Sequence, residues 1–320
     1  MFRMTFVLVA TGFFGFAAEA VLAQTIGYAG ALDRLAVACR ADIAKYCKGE
    51  NLGGGRVRDC LLRNQSNVSA RCIGSVNSLG ALLQKRAAAR ASVMSVCEVD
   101  IKRRCSGIQS GDGNLMECFY KTKENISPAC QQAVADAGFE VELGPSTRSG
   151  SINLSSGDLV SSLQAVEAAS NSSITASQLR SLVNQSLADP SRTNRVNRPP
   201  LYELDSLAQI TIAINFDFNS ARIRPDSFRA VGLMADALYH PYLQGYRFLI
   251  VGHTDAKGSR EYNLKLSQQR ADAIRAALVN PFGISASRID AVGLGEEQLL
   301  NRRDPGAAEN RRVQLINIGR

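Results

Sequence analysis

The sequence predicts a multidomain chain in which N-terminal, disulfide-bonded, all-α repeats precede an α+β domain of two layers with the element order β-α-β-α-β-β. Three observations carry this. Eight cysteines fall between residues 39 and 130 in two copies of one spacing, a Ser-rich stretch without cysteine follows, and residues 201–320 alternate strand-like and helix-like periodicities. The chain has 320 residues, 45% of them hydrophobic and 21% charged, which is enough apolar material for cores and too much length for one typical domain.

The N-terminus comes first. Met1-Phe2-Arg3 gives a short positive start, Met4 to Ala18 is an apolar run, and Val21-Leu22-Ala23 supplies the small residues that a signal peptidase reads. Residues 1–23 therefore read as a secretory signal peptide cut after Ala23. The run falls short of the roughly 18 to 20 apolar residues of a membrane span, and no later stretch supplies one. No Cys precedes Cys39, so a lipid-bearing N-terminal Cys is not expected.

Export gives the cysteines their meaning. They stand at 39, 47, 60, 72 and again at 97, 105, 118, 130, so both copies read C-x7-C-x12-C-x11-C, with Asp42 matching Asp100 and Ile43 matching Ile101. An even number of evenly placed Cys in an exported chain implies disulfides. Zinc is disfavoured because close pairs such as C-x2-C are missing and residues 24–140 contain no His. Each copy, about 36–77 and 94–135 within the region 24–137, reads as helix, Gly-rich turn, helix. A helical hairpin of this kind brings Cys47 near Cys60 and leaves Cys39 to meet Cys72, one of the three connectivities that four Cys allow. The second copy would repeat this with Cys105, Cys118, Cys97 and Cys130. Residues 78–95, rich in Ala, Arg and Leu, read as a helix joining the copies. The matching residues Cys-Arg-Ala-Asp-Ile (39–43) and Asp-Cys-Leu (59–61) resemble the cysteine-rich repeat of the Golgi glycoprotein family, which implies a partner-binding or spacer module.

Residues 138–200 shift to Ser, Asn and Gly and end in Asn197-Arg198-Pro199-Pro200, the composition of a linker. Short helices are expected within it, one over Asp158 to Ala168 and one after Thr175-x-x-Gln178, which has the form of a capping box. Such a connector would set the reach between the two ends of the chain.

In the domain 201–320, Gln209 to Phe218 alternates as a strand, Pro225 opens a helix, Arg247 to Val251 is a strand, Ser259 to Val279 a helix, and Ile289 to Leu294 and Val313 to Ile318 are the last strands. The second strand runs into Gly252-His253-Thr254-Asp255-Ala256-Lys257-Gly258, a polar cluster where a strand gives way to a helix. Arg270 follows fifteen residues after Asp255, on a helix that returns past the strand. An Asp and an Arg so placed can receive a zwitterionic amino acid, the carboxylate taking its ammonium and the guanidinium its carboxylate. An internal Asp-Arg ion pair that only fixes the helix is the competing reading.

Thr254-Asp255-x-x-Gly258, Asn263, Leu266-Ser267-x-x-Arg270-Ala271-Asp272, Gly293-x-Gly295-Glu296 and Asn310-Arg311-Arg312-Val313, preceded by Phe216-Asp217-Phe218, together resemble the OmpA-like peptidoglycan-binding domain. The resemblance implies non-covalent binding of peptidoglycan through the diaminopimelate of the stem peptide. On it, Asp255 takes the ammonium and Arg270 the carboxylate, with Asn263 and Asp217 as supporting contacts and Arg311 as a second basic partner. It also implies a periplasmic, cell-wall-associated protein, peripheral to the outer membrane. The strand-rich segment needed for an outer-membrane barrel is not offered by residues 24–200.

Charge and composition weigh the alternatives. The net charge of +8 suits an anionic partner, but most of the excess lies in residues 24–140, and together with export this speaks against nucleic acid. With only two His and no metal-ligand spacing, neither a metal nor another cofactor is expected, and no catalytic role is assigned. A cell-wall hydrolase would have to use His253 with Asp255, or Asp255 with Glu261, without a third group to orient the His. Within the binding class the alternative is an envelope motor or secretion-complex component. The cysteine-rich repeats would either hold an envelope protein or serve as a spacer.

Overall fold

The computed structural model describes residues 25–109, 113–139, 154–164, 175–188 and 204–320. The leader 1–23, and the Asn197-Arg198-Pro199-Pro200 end of the connector, lie outside them. No described helix is long and apolar enough to cross a membrane.

The N-terminal region is helical throughout. Helices α1 (Tyr28–Tyr46) and α2 (Arg56–Arg63) flank the Gly-rich turn of the first repeat, and α3 (Ala70–Val96) runs unbroken from its last cysteine to the second repeat. There α4 (Glu98–Arg104), α5 (Asn114–Lys121) and α6 (Pro128–Ala137) follow the same order. The four disulfides nest identically: Cys39–Cys72 around Cys47–Cys60, and Cys97–Cys130 around Cys105–Cys118. Hydrogen bonds repeat with the cysteines. Ser69 caps α3 through the Cys72 N–H and is itself held by the Asp42 carboxylate, its hydroxyl 2.7 Å from Oδ2. Ser127 caps α6 through the Cys130 N–H and is held by Asp100 at the same 2.7 Å. Those hydroxyl contacts hold the Asp100 carboxyl below its usual range. The α2 and α5 N-caps, Gly55 and Gly113, sit at φ of 70° and 73°, left-handed backbone that a glycine adopts without strain.

The connector contributes two helices, α7 (Ser156–Gln164) and α8 (Ala176–Ala188). Both start with reciprocal capping boxes. Ser155 exchanges hydrogen bonds with Asp158, and Thr175 with Gln178.

The C-terminal domain is built on a four-stranded sheet of β1 (Gln209–Ile212), β2 (Phe248–His253), β3 (Ile289–Gly295) and β4 (Val313–Asn317), in the order β1-β4-β2-β3. β4 is antiparallel to both neighbours, while β2 and β3 are parallel and joined through a helix. Helices α9 (Phe228–Leu238) and α10 (Arg260–Val279) complete the β-α-β-α-β-β order. Close packing of α10 depends on glycine in both parallel strands. A Cβ on Gly252 would meet the Ser267 carbonyl at 2.5 Å, and one on Gly293 the Gln268 nitrogen at 2.1 Å. β1 is shorter than the run from Gln209 to Phe218 predicts. The backbone leaves the sheet after Ile212 to make a turn closed by a Phe216–Ile223 bridge, with Asn219 at φ 53°.

Two findings depart from a picture of independent ends joined by a tether. The domain's own helices cover one face of the sheet, and α8 with residues 204–207 covers the other. Leu179, Val183, Leu204 and Leu207 pack there on Leu249, Val251, Val292 and Ile316. The first repeat, moreover, shares its core with the domain: Tyr28, Leu32, Ile43 and Leu61 lie in one buried cluster with Phe228, Val231, Met234 and Ile274. A carboxylate fastens this junction. Asp236, on α9 and 7% exposed, accepts the Tyr28 and Ala29 backbone N–H groups at 3.0 Å each and the Arg86 guanidinium at 3.3 Å, so it caps α1 from another part of the chain. Gly232 faces the Tyr28–Ala29 backbone, where a Cβ would come within 2.5 Å of the Ala29 Cα.

Candidate functional site

β2, an interior strand, delivers Thr254 and Asp255 to one end of the sheet, and the surrounding loops pin them there. The Thr254 N–H donates to the Gly295 carbonyl and that of Ala256 to Pro305, both at 2.9 Å. Gly258, at φ 98°, turns the chain into α10, whose first turn is capped by Ser259. The loop after β3 is folded around Asn310, a wholly buried side chain. Its amide donates to the carbonyls of Asn301, Asp304 and Pro305 and its oxygen accepts the Asn301 N–H. That stapled loop presents Arg311.

Asp255, Arg270 and Arg311 come together here. Asp255 Oδ1 accepts the Lys257 N–H at 3.2 Å and Oδ2 accepts Arg311 Nη1 at 2.7 Å, so this carboxylate is ion-paired with Arg311 and not with Arg270. Arg270 is held independently. Its Nε donates to the Ser220 carbonyl at 3.0 Å and its guanidinium carbon lies 4.9 Å from the Phe216 ring centroid. Its two terminal nitrogens have no hydrogen-bond partner among the described residues. Burial pushes its pKa down from the usual arginine value, and the fields of Arg311, Asp255 and the half-exposed Tyr262 all act on it. One carboxylate, two guanidiniums and a tyrosine thus share one electrostatic environment.

The other two expected residues stand beside this cluster. Asp217 is ion-paired with Arg222 across the turn that carries Ser220, and its backbone N–H donates to the Arg222 carbonyl at 3.0 Å. It therefore shapes the turn that holds Arg270. Asn263, 2% exposed, donates its amide to Glu296 at 2.8 Å and ties α10 to the end of β3. Sequence reasoning passed over Phe216 and Ser220 as the support of Arg270, and Asn310 as the organiser of the Arg311 loop. Of these Phe216 and Asn310 had a visible signal, standing in the Phe216-Asp217-Phe218 and Asn310-Arg311-Arg312 runs, and Ser220 had none.

His253 does not pair with Asp255. It is 2% exposed, its Nε2 lies 2.5 Å from Gln314 Oε1, and burial drives its pKa well below the usual imidazole value. It is a neutral member of a chain that continues from Gln314 to Gln209 at 2.7 Å. Glu261 lines a cleft between α8 and α10. No group of three or more His, Cys, Asp or Glu with metal-holding geometry occurs among the described residues.

The class this defines is an α/β domain with fixed charges of both signs on the loops at one sheet end. Residues 215–312 match the OmpA family, and residues 89–127 match the family described as Cysteine rich repeat. Among similar proteins, outer membrane porin F of Pseudomonas aeruginosa is 34% identical over 110 residues, covering 34% of this chain and 31% of the relative. The peptidoglycan-associated lipoprotein of the same organism is 34% identical over 102 residues, covering 31% of this chain and 58% of the relative. A solved peptidoglycan-associated lipoprotein from Burkholderia pseudomallei has 34% identity, 32% of this chain and 87% of that chain covered, and a TM-score of 0.29. The chain spans less than two thirds of the length of these curated relatives.

Proposed function

We propose that this is an exported envelope protein that binds peptidoglycan non-covalently through diaminopimelate, and that it scaffolds an envelope protein through its cysteine-rich repeats. The observation that carries the proposal is the arrangement of Asp255 and Arg270 within an OmpA family domain. The two are held by separate anchors, and the terminal nitrogens of Arg270 have no described partner. The side-chain end of meso-diaminopimelate carries an ammonium and a carboxylate. Asp255 has lone pairs left for the ammonium, and the Arg270 fork offers two parallel N–H groups to the carboxylate. Neither group must reorganise, because the Ser220 carbonyl and Phe216 fix the one while Lys257 and Arg311 fix the other. With Arg311 included, the cluster carries a net positive charge, which favours a stem peptide bearing further carboxylates.

Supporting this reading, a relative is named a peptidoglycan-associated lipoprotein. In this reading the leader 1–23 is removed and the protein resides in the periplasm at the wall, peripheral to the outer membrane. Both repeats offer exposed apolar side chains to a partner, Val37 in the first (59% exposed) and Val99 (68%) and Ile108 (45%) in the second.

Calorimetric titration of the chain from Gln24 onward with L-Ala-D-Glu-meso-diaminopimelate, and with the same peptide carrying lysine, tests the site. Micromolar binding, about 8 kcal/mol, is expected for the first and at least about tenfold weaker binding for the second, whose side chain leaves Arg270 without a carboxylate. Equal affinity for the two peptides would sink the assignment.

A further inference from the structure

The junction between the repeats and the domain encloses a second site, distant in character from the first. A cleft of about 400 Å³ lies between α3, the second repeat and the domain. Its walls are apolar and aromatic, with Val93, Met94, Met116 and Phe139 from the repeats and Tyr239 from the domain. A volume of this size holds a small organic molecule.

The charge inside it is unbalanced. The Arg90 side chain is 8% exposed and lines the cleft. Its Nε donates to the Ala137 carbonyl at 2.9 Å, and its guanidinium stacks 3.8 Å from the Tyr239 ring centroid. Nη1 and Nη2, both buried, have no hydrogen-bond partner among the described residues. The nearest carboxylate, Asp236, is 4.0 Å from Nη2 and is already taken by Arg86 and two backbone N–H groups. Arg288 also lines the cleft. All three of its nitrogens donate to backbone carbonyls, those of Tyr246, Leu238 and Leu243, and among the described residues no carboxylate pairs with it. Burial lowers the pKa of both arginines, helped at Arg90 by the field of Arg86, and takes that of Arg288 to about 10. Arg86 and Arg90 thus share one carboxylate, and Arg288 pairs with none among the described residues. Buried guanidinium N–H groups left unpaired in an apolar surrounding are costly, and a carboxylate delivered to them removes that cost.

We propose that this cleft binds a monocarboxylate with an apolar body of up to about ten carbons, the carboxylate paired with the Arg90 guanidinium, whose buried Nη1 and Nη2 turn toward the cleft to meet it, and the body among Val93, Met94, Met116 and Phe139. Because its walls come from both repeats and domain, an occupant also ties these parts together and stabilises the docked chain in proportion to its saturation.

The test uses three probes with one tail and different heads, decanoate, decanol and decyltrimethylammonium, each titrated below its micellar concentration into the chain from Gln24 onward. Decanoate is expected to bind one equivalent saturably, at least about tenfold tighter than the other two, and to raise the melting temperature. Arg90→Met, which keeps the volume and removes the charge, is expected to abolish the preference for decanoate over decanol. Ala91→Phe, at an exposed position on the rim, is expected to weaken decanoate binding by at least about tenfold. Should Arg90→Met fail to fold, the head-group series and Ala91→Phe decide the matter. Absence of decanoate binding, equal binding of the cationic probe, or unchanged binding in Ala91→Phe would overturn the proposal.

Discussion

The two cysteine-rich repeats have the same disulfides and the same Ser-Asp cap, yet they stand in different relations to the rest of the chain. The first has no core of its own. Its Tyr28, Leu32, Ile43 and Leu61 are buried together with the helices of the C-terminal domain. The second keeps Val93, Ile101, Phe119, Ile126 and Val134 to itself and meets the domain mainly where Tyr120 packs edge-on against His240 and Tyr242. The framework is therefore a way of holding three short helical segments without a large core, and the residues on its outside decide what it joins. Gly27-Tyr28-Ala29, reaching Asp236, make the first repeat part of the domain. The equivalent stretch ahead of the second repeat is the middle of α3, which has no free helix N-terminus to be capped.

The largest effect is expected where that difference originates. Asp236→Ala would leave Arg86 and Arg90 buried without a carboxylate and the α1 N-terminus uncapped, a loss of about 3–5 kcal/mol. Urea unfolding should show the midpoint falling, and a loss below about 1 kcal/mol would mean that apolar contact alone holds the junction. Next come the outer disulfides, each closing a loop of sequence separation 33. Replacing either pair by Ser is expected to cost about 2–4 kcal/mol, but with different reach. Without Cys39–Cys72, amide exchange should quicken in α9 as well as in α1. Without Cys97–Cys130, it should quicken in α4 to α6 and leave β2 and β4 protected. Identical exchange patterns would erase the distinction between the repeats.

A smaller effect should follow pH at the second repeat's contact with the domain. His240, 1% exposed, is driven by burial and then by the field of Lys123 from 6.5 to about 3. Its Nδ1 accepts the Tyr242 N–H, a role open only to the neutral ring. The folded state thus binds fewer protons than the unfolded state between these two values. The stability from His240 is complete above pH 6.5 and is lost as pH falls toward 3, by at most about 1.4 kcal/mol per pH unit. His240→Gln should flatten that slope in the urea midpoint, and an unchanged slope would assign it to other groups.

What the sequence revealed follows from which interactions are local. Strand and helix periods and Pro225 gave the β-α-β-α-β-β order, and the repeat at equal spacing gave the helical, disulfide-bonded halves. The capping boxes at Ser155 and Thr175 are local too. The docking was not legible, because it joins Tyr28, Arg86, Arg90 and Asp236 across more than two hundred residues; its trace is a lone carboxylate in the apolar run Phe228-Arg229-Ala230-Val231-Gly232-Leu233-Met234-Ala235-Asp236. At the site, that Arg270 lies within the field of Asp255 could be anticipated from a helix returning past its strand. That Arg311 holds the Asp255 carboxylate while Ser220 and Phe216 hold Arg270 depends on two loops whose approach no period encodes.

The most direct test of the central claim, that Asp255 and Arg270 together grip the wall, is co-sedimentation with intact peptidoglycan of two kinds, one containing diaminopimelate and one containing lysine. The chain from Gln24 onward should be compared with its Asp255→Ala and Arg270→Ala variants. The account predicts that the wild-type chain pellets with the diaminopimelate wall and stays in the supernatant with the lysine wall, and that both variants stay in the supernatant with either. Pelleting of all three chains alike with both walls would contradict it, leaving Asp255 and Arg270 as structural groups and moving the search for function to the repeats.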